Sequence, residues 1–128
     1  MINITLDNPF LFNLEILEID DKIPSFKVNC AFEVKSLKGY IKNSISYWIS
    51  NQSWDSFIHG FDSSDKASLI DLSEIVRIKI YPIDNKFQIF FDNSFQGNIN
   101  AVISFDSIIE KEIAISIIQK FKDFPKWW

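Results

Sequence analysis

One helical stripe in the middle of the chain strongly limits what this sequence can fold into. The large apolar residues at the i, i+3, i+4 and i+7 positions of one helix face are Trp54, Phe57, Ile58 and Phe61. An isolated helix cannot keep such a stripe in water, so this segment needs a sheet to cover. Ser53 is placed as the N-cap, and polar residues after Gly60 indicate the end of the helix. The sequence therefore predicts a central helix between two groups of strands.

Three runs before the central helix have the two-residue period of strands. The first extends from Phe10 to Ile19, with Phe12, Leu14 and Ile16 on one face and Leu11, Leu17 and Ile19 on the other. In the second, from Phe26 to Val34, every second residue is apolar, which places Cys30 in the core as a small hydrophobe rather than a reactive thiol. The third, Tyr40 to Trp48, is predicted to pair with it as a hairpin.

Four further runs and a second helix follow. The runs are Ala67 to Leu72, Ile75 to Tyr81, Phe87 to Phe91 and Ile99 to Phe105, with a turn around Gly97. Within the second run, Arg77, Lys79 and Tyr81 alternate with apolar residues. Ser107 and Glu110 have capping-box spacing, and an apolar stripe continues to Phe121. We therefore expect an α+β fold over residues 1–128, one domain in which an antiparallel sheet of about six to seven strands packs with a central and a C-terminal helix.

The charge balance and the single cysteine limit the partners and the compartment. The chain has 17 acidic and 13 basic residues, a net charge of −4. This balance disfavours nucleic acids and anionic membranes as partners and favours a basic partner. Cys30 cannot form an intramolecular disulfide, and no basic leader or long apolar segment is present. The sequence therefore predicts a cytoplasmic protein.

No residue pattern indicates catalysis. His59 is the only histidine, so it has no second imidazole with which to bind a metal, and no nucleophile is evident beside it. The three glycines are isolated, which excludes a phosphate-binding loop. We expect no enzyme activity, no catalytic or metal-binding residues, no cofactor and no small-molecule substrate.

Two features are candidates for binding another protein. Asp55, His59 and Asp62 lie at i, i+4 and i+7 on the helix face opposite the apolar stripe, and Asp65 extends the series. They form either an ordinary solvated face or an acidic patch for a basic partner. Trp127 and Trp128 either fold back and cap the core or act as a binding anchor.

The order of these elements resembles that of a known family. The runs are FKVNCAFEVKSLKGYIKNSISYWISNQSWDSFIHGF, KASLIDLSEIVRIKIYPIDNKFQIFFD and INAVISFDSIIEKEIAISIIQKFKDF, covering about Phe26 to Phe124. They resemble the WapI-like family of bacterial toxin-immunity proteins. The resemblance implies a cytoplasmic antidote without enzyme activity, encoded beside a polymorphic toxin such as a contact-dependent growth inhibition effector. Such a protein binds the C-terminal domain of its cognate toxin, in many systems a nuclease, and blocks it.

Two other classes of function remain open on the sequence. A small-ligand or carbohydrate-binding β-module would place aromatic side chains on an open sheet face, and Tyr40, Tyr47, Trp48 and Tyr81 are available for this. A secretion chaperone or adaptor would also be small, acidic and cytoplasmic.

Overall fold

A computed structural model describes residues 3–7, 10–94 and 100–128 of the chain. In this part of the chain the elements are β1 (Asn3–Leu6), β2 (Leu11–Asp20), β3 (Ser25–Ser36), β4 (Gly39–Ser50), α1 (Asn51–Ser63), β5 (Ala67–Ile70), β6 (Val76–Tyr81), β7 (Lys86–Ser94), β8 (Asn100–Ile108) and α2 (Lys111–Lys122). The α+β class and the central and C-terminal helices are confirmed. The turn predicted around Gly97 lies outside the described residues.

The described strands form two antiparallel sheets rather than the single sheet predicted. The first sheet has the order β1-β2-β3-β4 and the second the order β5-β6-β7-β8, so each is a meander in chain order. α1 joins the two, and the chain begins a new sheet after it. Alternation of apolar residues reports which face of a strand is buried but not which strands share a sheet, and this is why the division was missed.

The strand β3 has the predicted alternation. Phe26, Val28, Cys30 and Phe32 are all buried on its inner face. Its pairing with β4 is continuous from Ser25–Ser50 to Ser36–Gly39. This unbroken hairpin fixes the inner and outer faces of the first sheet.

A β-bulge in β2 changes one of the predicted faces. Ile16 pairs with Val28 but Glu18 pairs with Lys27, so Leu17 is the extra residue. Ile19 consequently lies opposite Phe26 on the same face of the sheet, although its side chain is still 49% exposed. The sequence placed Ile19 on the other face with Leu17, which is wrong because strict alternation cannot register an inserted residue.

Both helices begin at other residues than predicted. The N-cap of α1 is Ser50, whose Oγ accepts a hydrogen bond from the Ser53 N–H at 3.0 Å. The N-cap of α2 is Glu110, whose side chain makes no capping hydrogen bond. Ser107 pairs with Phe87 in the second sheet, so strand pairing has replaced the predicted capping box. None of the helices in the described ranges has the length and apolarity needed to cross a membrane.

Aromatic rings connect the two sheets and the two helices in one core. The Phe12 ring of the first sheet meets the Phe87 ring of the second edge to face, with centroids 5.5 Å apart. The Phe121 ring of α2 lies 5.9 Å from Trp54 and 5.2 Å from Phe57, both in α1. The predicted apolar stripes are therefore confirmed as the core faces of the helices, with Ile58, Ile113 and Ile118 only partly buried.

Candidate functional site

The polar side of α1 borders a groove next to the last residues of the chain. Asp55, His59 and Asp62 line one wall of the groove, and Lys122 and Lys126 line the other. The groove has a volume of about 320 Å³. Its apolar lining is supplied by Trp54, Ile58, Phe121 and Phe124. We call these polar wall residues together with Trp127 and Trp128 the α1–tail face, where the tail is residues 123–128.

Asp55 holds the tail in place. Its Oδ1 lies 2.8 Å from Lys126 Nζ, and its Oδ2 accepts a hydrogen bond from Trp128 Nε1–H at 3.0 Å. Partial burial acts to raise the pKa of Asp55. The hydrogen bonds from Lys126 and Trp128 and the charge of Lys126 together outweigh burial, so the pKa lies below its usual value. The carboxylate is therefore fully ionised at neutral pH.

Asp62 joins the two helices through a second ion pair. Its Oδ1 lies 2.8 Å from Lys122 Nζ at the end of α2. Asp65 is exposed after the end of α1, and its Oδ1 accepts a long hydrogen bond of 3.4 Å from Ser64 Oγ. The residues predicted to form an acidic patch therefore do not carry uncompensated negative charge, since lysines from the C-terminal part of the chain neutralise Asp55 and Asp62.

The two C-terminal tryptophans fold back onto the core, which is one of the two alternatives that the sequence left open. Both are half-buried beside Phe26, with ring centroids 5.2 Å away for Trp127 and 5.7 Å away for Trp128. Lys126 Nζ also lies 5.3 Å from the centroid of the Trp128 ring. Because Trp128 adjoins the Asp55–Lys126 ion pair and Trp127 packs against Trp128, the face combines aromatic and charged groups.

Cys30 is buried in the core, whereas His59 lies on the surface. Burial raises the pKa of the Cys30 thiol to about 12, against the opposing effects of the Tyr47 hydroxyl and the Arg77 charge. Cys30 is thus a protonated core residue, as predicted. His59 is exposed. Among the described residues, no group of three or more His, Cys, Asp or Glu side chains could hold a metal ion.

A buried ion pair lies between the sheets, and sequence reasoning missed it. Arg77 Nε donates to Asp71 Oδ2 at 2.7 Å, and both side chains are almost inaccessible to solvent. The guanidinium also lies 5.0 Å from the centroid of the Tyr47 ring in β4. Arg77 was predicted on the polar side of its strand, but the register between β5 and β6 shifts there and the side chain turns inward. This cluster joins the second sheet to the first.

The aromatic residues considered for a ligand-binding β-module do not share one face. Tyr47 is buried on the inner face of β4, whereas Trp48 lies opposite Lys27 on the outer face. Tyr81 belongs to the second sheet. Tyr40 is exposed near the start of β4, where it lies opposite Lys35. Tyr40 and Trp48 share the outer face of β4 but lie eight residues apart, so the four aromatic residues do not gather on one face.

Comparison of the chain with models of protein families, with curated proteins and with solved structures finds no match in any of the three.

Proposed function

We propose that this chain is an immunity protein that binds a cognate bacterial toxin domain in the cytoplasm and neutralises it. The observation that carries the proposal is the α1–tail face, in which the half-buried Trp127 and Trp128 rings pack together and Trp128 adjoins the Asp55–Lys126 ion pair. Tryptophan is enriched among the residues that dominate protein–protein binding energy, and charged residues typically surround them. The resemblance of Phe26 to Phe124 to the WapI-like family supports a toxin as the partner.

In this proposal the ion pairs of the α1–tail face are exchanged when the partner binds. The carboxylate of Asp62 is 71% exposed although it is paired with Lys122. Exposed ion pairs contribute only about 0 to 1 kcal/mol, so an arginine of the partner can replace a lysine at little cost. A toxin nuclease presents a basic surface, and the net charge of −4 attracts it over a distance. The chain acts by occupying the toxin and carries out no reaction of its own.

The proposal implies that a toxin domain is encoded next to the gene for this chain, and the experiment uses that domain as the probe. We expect co-production of the two to rescue growth, and the purified pair to form a one-to-one complex. Asp62→Lys should weaken that complex by about tenfold to a hundredfold, because truncation or reversal of an interface charge costs about 1 to 3 kcal/mol. The matched control is Asp84→Lys, which makes the same charge change at an exposed residue of the β6–β7 turn.

The experiment distinguishes a failure of the proposed immunity function from a failure of the proposed interface. If the unmodified chain neither binds nor protects against the toxin domain, the immunity function is wrong. If the chain protects but Asp62→Lys and Asp84→Lys weaken binding equally, only overall charge matters and the α1–tail face is not the interface.

A further inference from the structure

The hairpin of β3 and β4 projects beyond the rest of the first sheet. Pairing between β2 and β3 ends at Leu11–Glu33, whereas pairing between β3 and β4 continues to Ser36–Gly39. Three further residues on each strand extend the hairpin by about 10 Å, at roughly 3.3 Å per residue. Gly39 has a φ of 137°, which a residue with a side chain rarely adopts, and so permits the tight turn at residues 37–38. We call residues 34–41 the finger.

The finger combines exposed apolar side chains with positive charge. Leu37 is fully exposed at the turn, and Tyr40 and Ile41 are 67% and 59% exposed. The charged residues of the finger are Lys35 and Lys38, whereas Lys42, just below the finger, is the cross-strand partner of Glu33. The chain as a whole has a net charge of −4, so the finger has the opposite sign to the rest of the molecule.

The two faces of the finger differ in character. Lys35 and Tyr40 are cross-strand partners and therefore lie on the same face, the outer one. Ile41 points to the opposite face, where its partner is Val34. Leu37 lies between the faces at the turn. Aromatic and lysine side chains beside apolar ones match the boundary between lipid head groups and acyl chains, because each has an apolar stem and a polar end.

We propose that the finger docks on an anionic lipid surface, a property that goes beyond the proposed function and does not depend on it. Leu37 and Ile41 enter the boundary of the acyl chains, Tyr40 lies at head-group depth, and the lysines contact lipid phosphates. The net charge disfavoured anionic membranes for the molecule as a whole. The positive charge of the finger reverses this effect locally and orients the acidic remainder of the chain away from the lipid.

A lipid surface fits the finger better than an acidic protein does. A two-stranded projection is convex, and a protein partner would need a cleft of matching depth to cover apolar residues on both faces and at the turn. A bilayer closes around a convex projection without such a cleft, and an insertion depth of about 5 to 10 Å is typical of interfacial segments. The length of the projection is similar to this depth.

The proposal is tested with the full chain and lipid vesicles. Vesicles of phosphatidylcholine alone are compared with vesicles that also contain phosphatidylglycerol, and bound protein is measured by cosedimentation. We expect binding to the anionic vesicles only, and we expect it to weaken as salt is added. Lys35→Ser and Lys38→Ser should each weaken binding about fivefold, the contribution of one lysine near an anionic surface. Lys66→Ser and Lys111→Ser, at exposed lysines elsewhere, are the matched controls.

Insertion is measured separately with an environment-sensitive fluorophore. Cys30 is buried, so a cysteine introduced by Leu37→Cys can be labelled at the surface. We expect the emission to shift to the blue on anionic vesicles, whereas the label on Ile83→Cys, at another exposed turn, should not respond. Absence of vesicle binding, or equal losses in the finger and control variants, would overturn the proposal. Binding to acidic polypeptides without any binding to vesicles would assign the finger to a protein partner instead.

Discussion

Replacing Arg77 with methionine should lower the free energy of unfolding by about 3 to 5 kcal/mol, the cost of breaking a buried ion pair. The substitution removes the partner of Asp71 at 2.7 Å and leaves a carboxylate in a site almost without solvent. It also removes the cation from the Tyr47 ring. Urea denaturation of the two proteins gives the difference directly.

The neighbouring Lys79 provides the control for this measurement. Its side chain is only partly buried and lies over the Phe90 ring, so Lys79→Met should change stability by no more than about 1 kcal/mol. An Arg77→Met effect as small as that of Lys79→Met would show that the buried pair contributes little to the stability of the fold.

Truncating Phe57 to alanine should cost about 3 to 5 kcal/mol, because the ring is fully buried and its removal leaves a cavity. Its neighbours are the Trp54, Phe61 and Phe121 rings, at centroid distances of 5.8, 5.0 and 5.2 Å. The same denaturation measurement applies. Ile115→Ala on α2 is the control, since this side chain is 58% exposed and its loss should stay within about 0.5 kcal/mol. Equal losses in the two variants would place Phe57 outside the core.

The parts of the fold that local pattern determines could be predicted from the sequence. The alternation from Phe26 to Val34 and the helical stripe from Trp54 to Phe61 follow from the geometry of a strand and a helix, and both faces were assigned correctly. The bulge at Leu17 and the strand continuing through Ser107 depend on the partner strand. No local pattern reports the partner strand, so these features could not be predicted.

Only part of the candidate site could be predicted from the sequence. Helical period alone placed Asp55, His59 and Asp62 along one side of α1, where they line a groove. Their partners come from the end of the chain, with Lys122 60 residues after Asp62 and Trp128 73 residues after Asp55. The sequence does not indicate with which of the 17 acidic residues a given lysine will pair. The neutralisation of Asp55 and Asp62 is therefore a property of the tertiary structure alone.

Hydrogen–deuterium exchange on a complex with the proposed toxin partner tests the central claim most directly. Exchange of the free chain is compared with that of the bound chain, peptide by peptide. If the α1–tail face binds the toxin, exchange should slow in α1 and in residues 123–128, while β5 and β6 change little. Slower exchange confined to other parts of the chain, with α1 and residues 123–128 unchanged in a complex that still protects cells, would contradict this account.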